Sequence, residues 1–180
     1  RVALVHSLAL DRSIWDGVVR ELAGEAQILT HDCRGHGRSG RPHMAYTPAL
    51  FARDLAELVD HVRWNDAVVA GCSMGGMVAQ AFAATCPQRT RGLCLIDTTA
   101  WYGADAPKLW RERAATGRDK GLAALIDFQP DARMAKRSTV WNVAGAIAGD
   151  PAGRNSHCFG LVDHGRGISN RRCGAQPDQK

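Results

Sequence analysis

The chain has 180 residues, a formal net charge of +5 and a hydrophobic content of 45%. This length suffices for one domain with a substantial buried core, and the composition is ordinary for a globular protein. No apolar stretch reaches membrane-spanning length and the first residues lack the layout of a signal peptide, so we expect a cytoplasmic protein with no membrane contact. The basic residues are scattered along the sequence and form no basic stripe with aromatic residues between them, which argues against nucleic-acid binding.

The six cysteines form no C-x-x-C pair and have no histidine partners at metal-ligand spacing. Cys72 and Cys94 lie in apolar runs, where cysteine acts as a small hydrophobic residue. No G-x-G-x-x-G pattern follows the first predicted strand, and no phosphate-binding loop is present. We therefore expect neither a metal nor a cofactor.

Strand and helix signals alternate from the start of the chain. Residues 2–5 form an apolar run typical of a buried strand, and the amphipathic segment 13–22 predicts a helix with Ser13 as its N-cap. Residues 27–31 predict the second strand, which leads into a glycine-rich loop. Thr47-Pro48 then predicts the start of a second helix, because a capping residue followed by proline is a favoured beginning.

A junction of strand, turn and helix follows in the middle of the chain. The apolar run Ala67–Ala70 predicts a buried strand, and an amphipathic helix is predicted from Gly76. Between them, Gly71 to Gly75 spell G-x-S-x-G, the pattern of a nucleophile elbow. Such a turn strains the backbone at the serine and leaves little room for side chains two residues to either side, which accounts for the glycines. A further strand at 93–97 completes the alternation typical of a parallel α/β sheet.

Two interpretations of the serine in this turn, Ser73, are open. A glycine-rich turn between strand and helix can carry a serine that only caps the helix. The strand before it and the helix after it are the context that the elbow pattern requires, and they favour Ser73 as a nucleophile.

The pattern changes after residue 100. We predict residues 1–100 as the N-terminal part of the sheet domain. Helical signals without intervening strands predict a helical cap over residues 101–150, with helices that start at Asp105–Pro107 and run through Arg113, at 122–128 and at 141–147. Residues 151–180 are predicted to be an irregular basic tail. The composition changes after Gly153, which suggests the hypothesis of a frame-shifted or aberrant end.

Three motifs in order resemble the α/β-hydrolase superfamily: Leu4–Ser7 (LVHS), Asp32–Ser39 (DCRGHGRS) and Gly71–Gly75 (GCSMG). The sequence from Gly71 to Gln80 is most similar to the 3-oxoadipate enol-lactonase branch and its esterase relatives. The resemblance covers roughly residues 1–153. It implies an α/β fold with a mostly parallel sheet flanked by helices and a helical cap, apparently truncated at both ends.

The resemblance also implies an activity and roles for single residues. The chain would be a serine hydrolase of small esters or lactones, in which Ser73 attacks the carbonyl carbon and forms an acyl-enzyme. The backbone N–H groups of Leu8 and Met74 would form the oxyanion hole. Three tryptophans of the predicted cap are candidates for lining the pocket or for packing within the cap: Trp101, Trp110 and Trp141.

In this superfamily an acid and then a histidine follow the serine in chain order. The chain ends about where those segments are expected, and the remaining candidates are Asp97 as acid and His164 or His157 as base. The alternative function is therefore a non-catalytic, truncated hydrolase fragment. A sheet that ends at the strand 93–97 would also expose an apolar edge, so self-association is expected and an oligomer is possible.

Overall fold

The computed structural model describes residues 1–128, with side chains to residue 125, and the backbone of residues 158 and 159. The strands are β1 (Val2–Val5), β2 (Ile28–Thr30), β3 (Ala67–Cys72), β4 (Thr90–Ile96) and β5 (Cys158–Phe159). The α-helices are α1 (Asp16–Glu21), α2 (Pro48–His61), α3 (Met74–Thr85) and α4 (Ala106–Lys120). Shorter 3₁₀ helices lie at Arg12–Trp15, Pro87–Arg89 and Leu122–Phe128.

The strands form one sheet in the order β2-β1-β3-β4-β5. The first four strands run parallel, and β5 pairs antiparallel with the end of β4. The chain moves outward from β1 to β2 and then returns past β1 to β3, so the direction of winding reverses between β1 and β3. Ligands of open parallel sheets bind at the carboxyl ends of the strands at such a reversal. The prediction of a mostly parallel α/β sheet is confirmed.

Apolar side chains cover both faces of the sheet. Along β1, Val2 and Leu4 belong to one buried cluster and Ala3 and Val5 to the other, as the two-residue period of a strand requires. The first cluster contains Trp15, which is fully buried, together with side chains of α1. The second contains the apolar faces of α2 and α3. Helices on both faces explain why β1 is apolar at every position.

The structure confirms one predicted helix cap and corrects another. Thr47 caps α2, because its Oγ1 accepts a hydrogen bond of 3.1 Å from the N–H of Leu50. The prediction of Ser13 as a cap was wrong. The chain first forms a 3₁₀ turn capped by Asp11, whose carboxylate accepts a 2.8 Å hydrogen bond from the N–H of Ser13. The α1 helix begins only after that turn.

Some predictions concern segments beyond the described residues. The helix predicted at 141–147 and most of the tail lie outside them, so the boundaries of the cap and tail remain predictions. The segment 122–128 is helical, in the 3₁₀ form. β5 pairs with Leu95 and Ile96 of β4, and the self-association expected from an open edge also remains a prediction. No helix in the described part of the chain is long and apolar enough to cross a bilayer.

Candidate active site

Ser73 lies between β3 and α3 with φ 52° and ψ −113°. A non-glycine residue at positive φ carries strain of about 1–3 kcal/mol, which the surroundings must maintain. Here the N–H of Ser73 donates to the carbonyl of Ile96 at 2.9 Å. Its own carbonyl accepts hydrogen bonds from Thr98 Oγ1 at 2.8 Å and from the N–H of Gly76 at 2.9 Å. The end of β4 and the residues after it therefore hold the turn on both sides of the serine.

The glycines around Ser73 lie where a side chain has no room. A Cβ on Gly71 would collide with the backbone of Gly75, and a Cβ on Gly75 would collide with the carbonyl oxygen of Val5. The register explains the second contact, since Val5 at the end of β1 pairs with Gly71 of β3. A Cβ on Gly76 would collide with the side chain of Thr98. The turn thus packs directly on the backbone of β1.

Met74 and Leu8, whose backbone N–H groups are the predicted oxyanion donors, lie at the same cavity as Ser73. Met74 is the first residue of α3, and Leu8 lies in the turn that follows β1. Both residues line the cavity together with Ser73. Within the described residues, neither N–H group has a hydrogen-bond acceptor. The N-terminus of a helix also favours negative charge nearby, so this arrangement is suited to an oxyanion.

His6 fixes the loop that carries Leu8. Its side chain is fully buried, and its Nε2 accepts a 2.9 Å hydrogen bond from the N–H of Cys33. Its Nδ1 lies 2.8 Å from the carbonyl oxygen of Ser7 and must donate, because a carbonyl only accepts. Burial lowers the pKa of His6, which keeps the ring neutral, as this pattern requires. Both ring nitrogens are occupied, so His6 holds structure and is not placed to act as a base.

The second loop, residues 32–40, is anchored by two acidic residues. The carboxylate of Asp32 accepts 2.8 Å hydrogen bonds from the N–H groups of Arg12 and Arg38. Burial opposes the charged form of Asp32, but these bonds outweigh it and hold its pKa below the usual range. Arg34 donates two hydrogen bonds to the carboxylate of Asp54 in α2, one from Nη2 and one of 2.7 Å from Nε. The loop is therefore tied to α2 and to the start of the first helical segment.

A cavity of about 500 Å³ opens at Ser73. Its other wall residues come from five segments: Leu8; His36; Tyr46, Pro48 and Phe51; Met74 and Met77; and Ala100, Trp101, Tyr102, Gly103, Ala106, Pro107 and Trp110. The structure places two of the three predicted tryptophans in this wall, and the third, Trp141, lies outside the described residues. No three potential metal ligands come together in the described residues.

Several residues of the site carry no local sequence signal. Tyr46 and Phe51 sit before and within α2, where their spacing predicts only core packing. His36 lies in the loop motif Asp32–Ser39, and it lines the cavity. Thr98 reaches Ser73 from beyond the next strand. Only the folded sheet brings these segments together.

No activating partner of Ser73 is found among the described contacts. No described histidine or carboxylate forms a hydrogen bond with Ser73 Oγ. Asp97 follows β4 with φ 45° and is exposed. His36 shares the cavity, and its Nδ1 donates to a backbone carbonyl at 3.2 Å. His157 and His164 lie outside the described residues, so the acid and the base remain predictions.

Known proteins share this sequence pattern and fold. The sequence model of the Alpha/beta hydrolase family matches residues 2–169. The 3-oxoadipate enol-lactonase 2 of Acinetobacter baylyi is 30% identical over 153 residues, which cover 84% of this chain and 54% of that protein. The enol-lactonase from Burkholderia xenovorans LB400 superposes with a TM-score of 0.68 at 33% identity, over 81% of this chain and 56% of that one.

A thermophilic esterase from Thermogutta terrifontis also superposes, with a TM-score of 0.64 and 38% identity, over 67% of this chain and 45% of that one. The chain spans about half the length of these relatives.

Proposed function

Because the chain belongs to the alpha/beta hydrolase family, we propose that it is a serine hydrolase that cleaves small esters or lactones through an acyl-enzyme on Ser73. One observation carries the proposal: Ser73 is held at positive φ on a largely apolar cavity that Met74 and Leu8 also line, and the N–H groups of these two residues have no acceptor among the described residues. Relatives named as an enol-lactonase and an esterase support this reaction class. The reaction consumes only water and requires no cofactor.

In the proposed reaction, Ser73 Oγ forms a bond to the carbonyl carbon of the substrate as its proton passes to a base. The carbonyl electron pair moves to the oxygen, which accepts hydrogen bonds from Met74 and Leu8. Each such donor, held in place beforehand, contributes about 3 kcal/mol to transition-state stabilisation. Collapse of this intermediate breaks the bond to the leaving oxygen, which takes the proton back from the base and departs as the alcohol; in a lactone it stays attached to the acyl group. Water then attacks the acyl-enzyme, releases the acid and restores Ser73.

A second candidate function is a non-catalytic chain. It is favoured by one observation, that no described histidine or carboxylate contacts Ser73 Oγ. A serine without a general base loses several powers of ten in rate. In that case the cavity binds ligands without cleaving them. Asp97, His157 and His164 are the predicted residues that would have to supply the base and its acid.

A fluorophosphonate probe separates the two functions, since it labels only an activated serine. We expect labelling of the unmodified chain and loss of labelling in Ser73→Ala. Ser13→Ala is the matched control, because it removes the same hydroxyl at a site away from the cavity and should keep the label. A chain that unfolds cooperatively in urea and yet takes no label supports the non-catalytic function. Hydrolysis of p-nitrophenyl pentanoate by chain that has not been exposed to the probe then tests turnover.

A further inference from the structure

The wall of the cavity at Ser73 is apolar and aromatic. Phe51, Met77, Trp101 and Trp110 are among its members. Among the described wall residues there is no lysine, arginine, aspartate or glutamate. A charged side chain farther away cannot take the place of a charged wall residue. An ionic partner must lie within a few ångströms of a buried charge to compensate for its lost hydration.

Arg113 of α4 contacts a residue of the cavity wall without being part of that wall. The guanidinium of Arg113 lies 5.3 Å from the ring centroid of Trp110, stacked on that ring. Arg113 is not part of the cavity wall, although Trp110 is. The ring of Trp110 therefore takes part both in the wall and in a contact with a cation outside it. This contact stabilises the position of the Trp110 ring in the wall.

We propose that this cavity selects uncharged, apolar acyl groups and excludes those that carry a free carboxylate. The proposal rests on the function proposed for Ser73, since it names the substrates of that site. An apolar acyl chain gains free energy in proportion to the area it buries against these side chains. A carboxylate in the same place loses hydration without an ionic partner among the described wall residues. Lactones that carry a free carboxylate are excluded on the same ground.

The volume of the cavity sets the size of the ligand. About 500 Å³ lies within the range of small-molecule sites and accommodates an aryl ester of a five-carbon acid. Two ketones of this size differ only at the end of the acyl chain. They are 1-(4-nitrophenyl)hexan-2-one, which ends in a methyl group, and 6-(4-nitrophenyl)-5-oxohexanoate, which ends in a carboxylate. Neither can be hydrolysed, so both report binding alone.

The test measures the affinity of both ketones for Ser73→Ala, in which no adduct with the serine can form. The nitrophenyl group quenches tryptophan fluorescence, and Trp101 and Trp110 in the wall supply the signal. We expect the neutral ketone to bind at least about tenfold more tightly than the anionic one. Equal or tighter binding of the anionic ketone overturns the proposal. Failure of both to bind at millimolar concentration overturns it as well, because the cavity is then not a ligand site.

A matched pair of variants tests whether charge is the cause. Ala106 begins α4 and lies in the wall, so Ala106→Lys introduces a cation there, and Ala106→Met introduces a side chain of similar length without charge. We expect Ala106→Lys to reduce the preference for the neutral ketone at least about fivefold relative to Ala106→Met. An unchanged preference in Ala106→Lys overturns the electrostatic explanation.

Hydrolysis distinguishes failure of this proposal from failure of the proposed function. With an active chain, p-nitrophenyl pentanoate should be cleaved at least about tenfold faster than mono-p-nitrophenyl glutarate, since the two esters match the two ketones. Equal rates that depend on Ser73 leave the function standing and overturn the selectivity. If the chain binds the neutral ketone selectively but takes no fluorophosphonate label, the proposed selectivity of the cavity stands and the proposed catalytic function is overturned.

Discussion

His31 should make the fold sensitive to mild acid. It follows β2 and is largely buried, and its Nδ1 has no hydrogen-bond partner among the described residues. The only contact of its Nε2 in that part of the chain is with Cys33 Sγ, at 3.8 Å. Burial lowers the pKa of His31 to about 4. In the unfolded chain the same imidazole has a pKa of about 6.5.

The sign and size of the effect follow from these two values. Between pH 6.5 and 4 the unfolded chain binds the proton more tightly, so the free energy of unfolding is highest above the unfolded pKa and falls as the pH drops toward 4. A difference of about 2.5 pKa units corresponds to about 3 kcal/mol, of which about 2.5 kcal/mol is lost by pH 4.5. Asp32 acts mainly below this window, because its pKa lies below the usual carboxyl range in the folded state.

Urea unfolding followed by tryptophan fluorescence at pH 7.5 and pH 4.5 tests this reasoning. The unmodified chain should lose about 2.5 kcal/mol more than His31→Phe, in which the titrating ring is replaced by an apolar one. His31→Gln provides a second non-titrating variant, so the comparison does not depend on how well phenylalanine packs. His43→Gln, at an exposed position, should keep the acid sensitivity of the unmodified chain. An equal loss of stability in His31→Phe and the unmodified chain would refute the reasoning.

Three further substitutions test the packing around the site and one helix end. Gly75→Ala should destabilise the fold by about 2 kcal/mol or more, because its Cβ meets the carbonyl oxygen of Val5; a urea midpoint unchanged from that of the original chain contradicts this. Thr98→Val should cost about 1 kcal/mol in thermal unfolding by removing the hydroxyl that donates to Ser73, and Thr98→Ser should restore most of that loss. Thr47→Ala should cost about 1 kcal/mol through loss of the α2 cap, measured by urea unfolding, whereas Thr47→Ser should cost little.

The sequence predicts the fold where the structural requirement is local. The alternation of short apolar runs with amphipathic segments predicts the parallel sheet, because each strand between two layers of helices must be apolar throughout. The requirement for glycine at 71 and 75 is also local, because the turn leaves no room for a side chain two residues to either side of the serine. The sequence pattern therefore predicts the turn. The N-cap of the first helical segment was missed because Asp11 and Ser13 are both good capping residues and only the 3₁₀ turn decides between them.

The walls of the site could not be predicted in this way. His36, Tyr46 and Phe51 reach the cavity because the loop after β2 and the start of α2 converge on the end of β3. Thr98 donates to a backbone carbonyl 25 positions earlier in the chain, a contact that depends on the pairing of β3 with β4. Neither contact imposes a residue pattern on its neighbours. These contacts depend on how distant segments pack in the folded chain, and a local sequence pattern does not predict that packing.

The cavity at Ser73 is enclosed by segments that are far apart in the chain, from the turn after β1 to the start of α4. A compound that fills it contacts all of them at once and binds only when the sheet is assembled. By mass action such a compound raises the free energy of unfolding by about 2.7 kcal/mol at a hundred times its Kd. Melting-temperature screens of ester and lactone analogues would therefore rank ligands of this chain whether or not it turns any of them over.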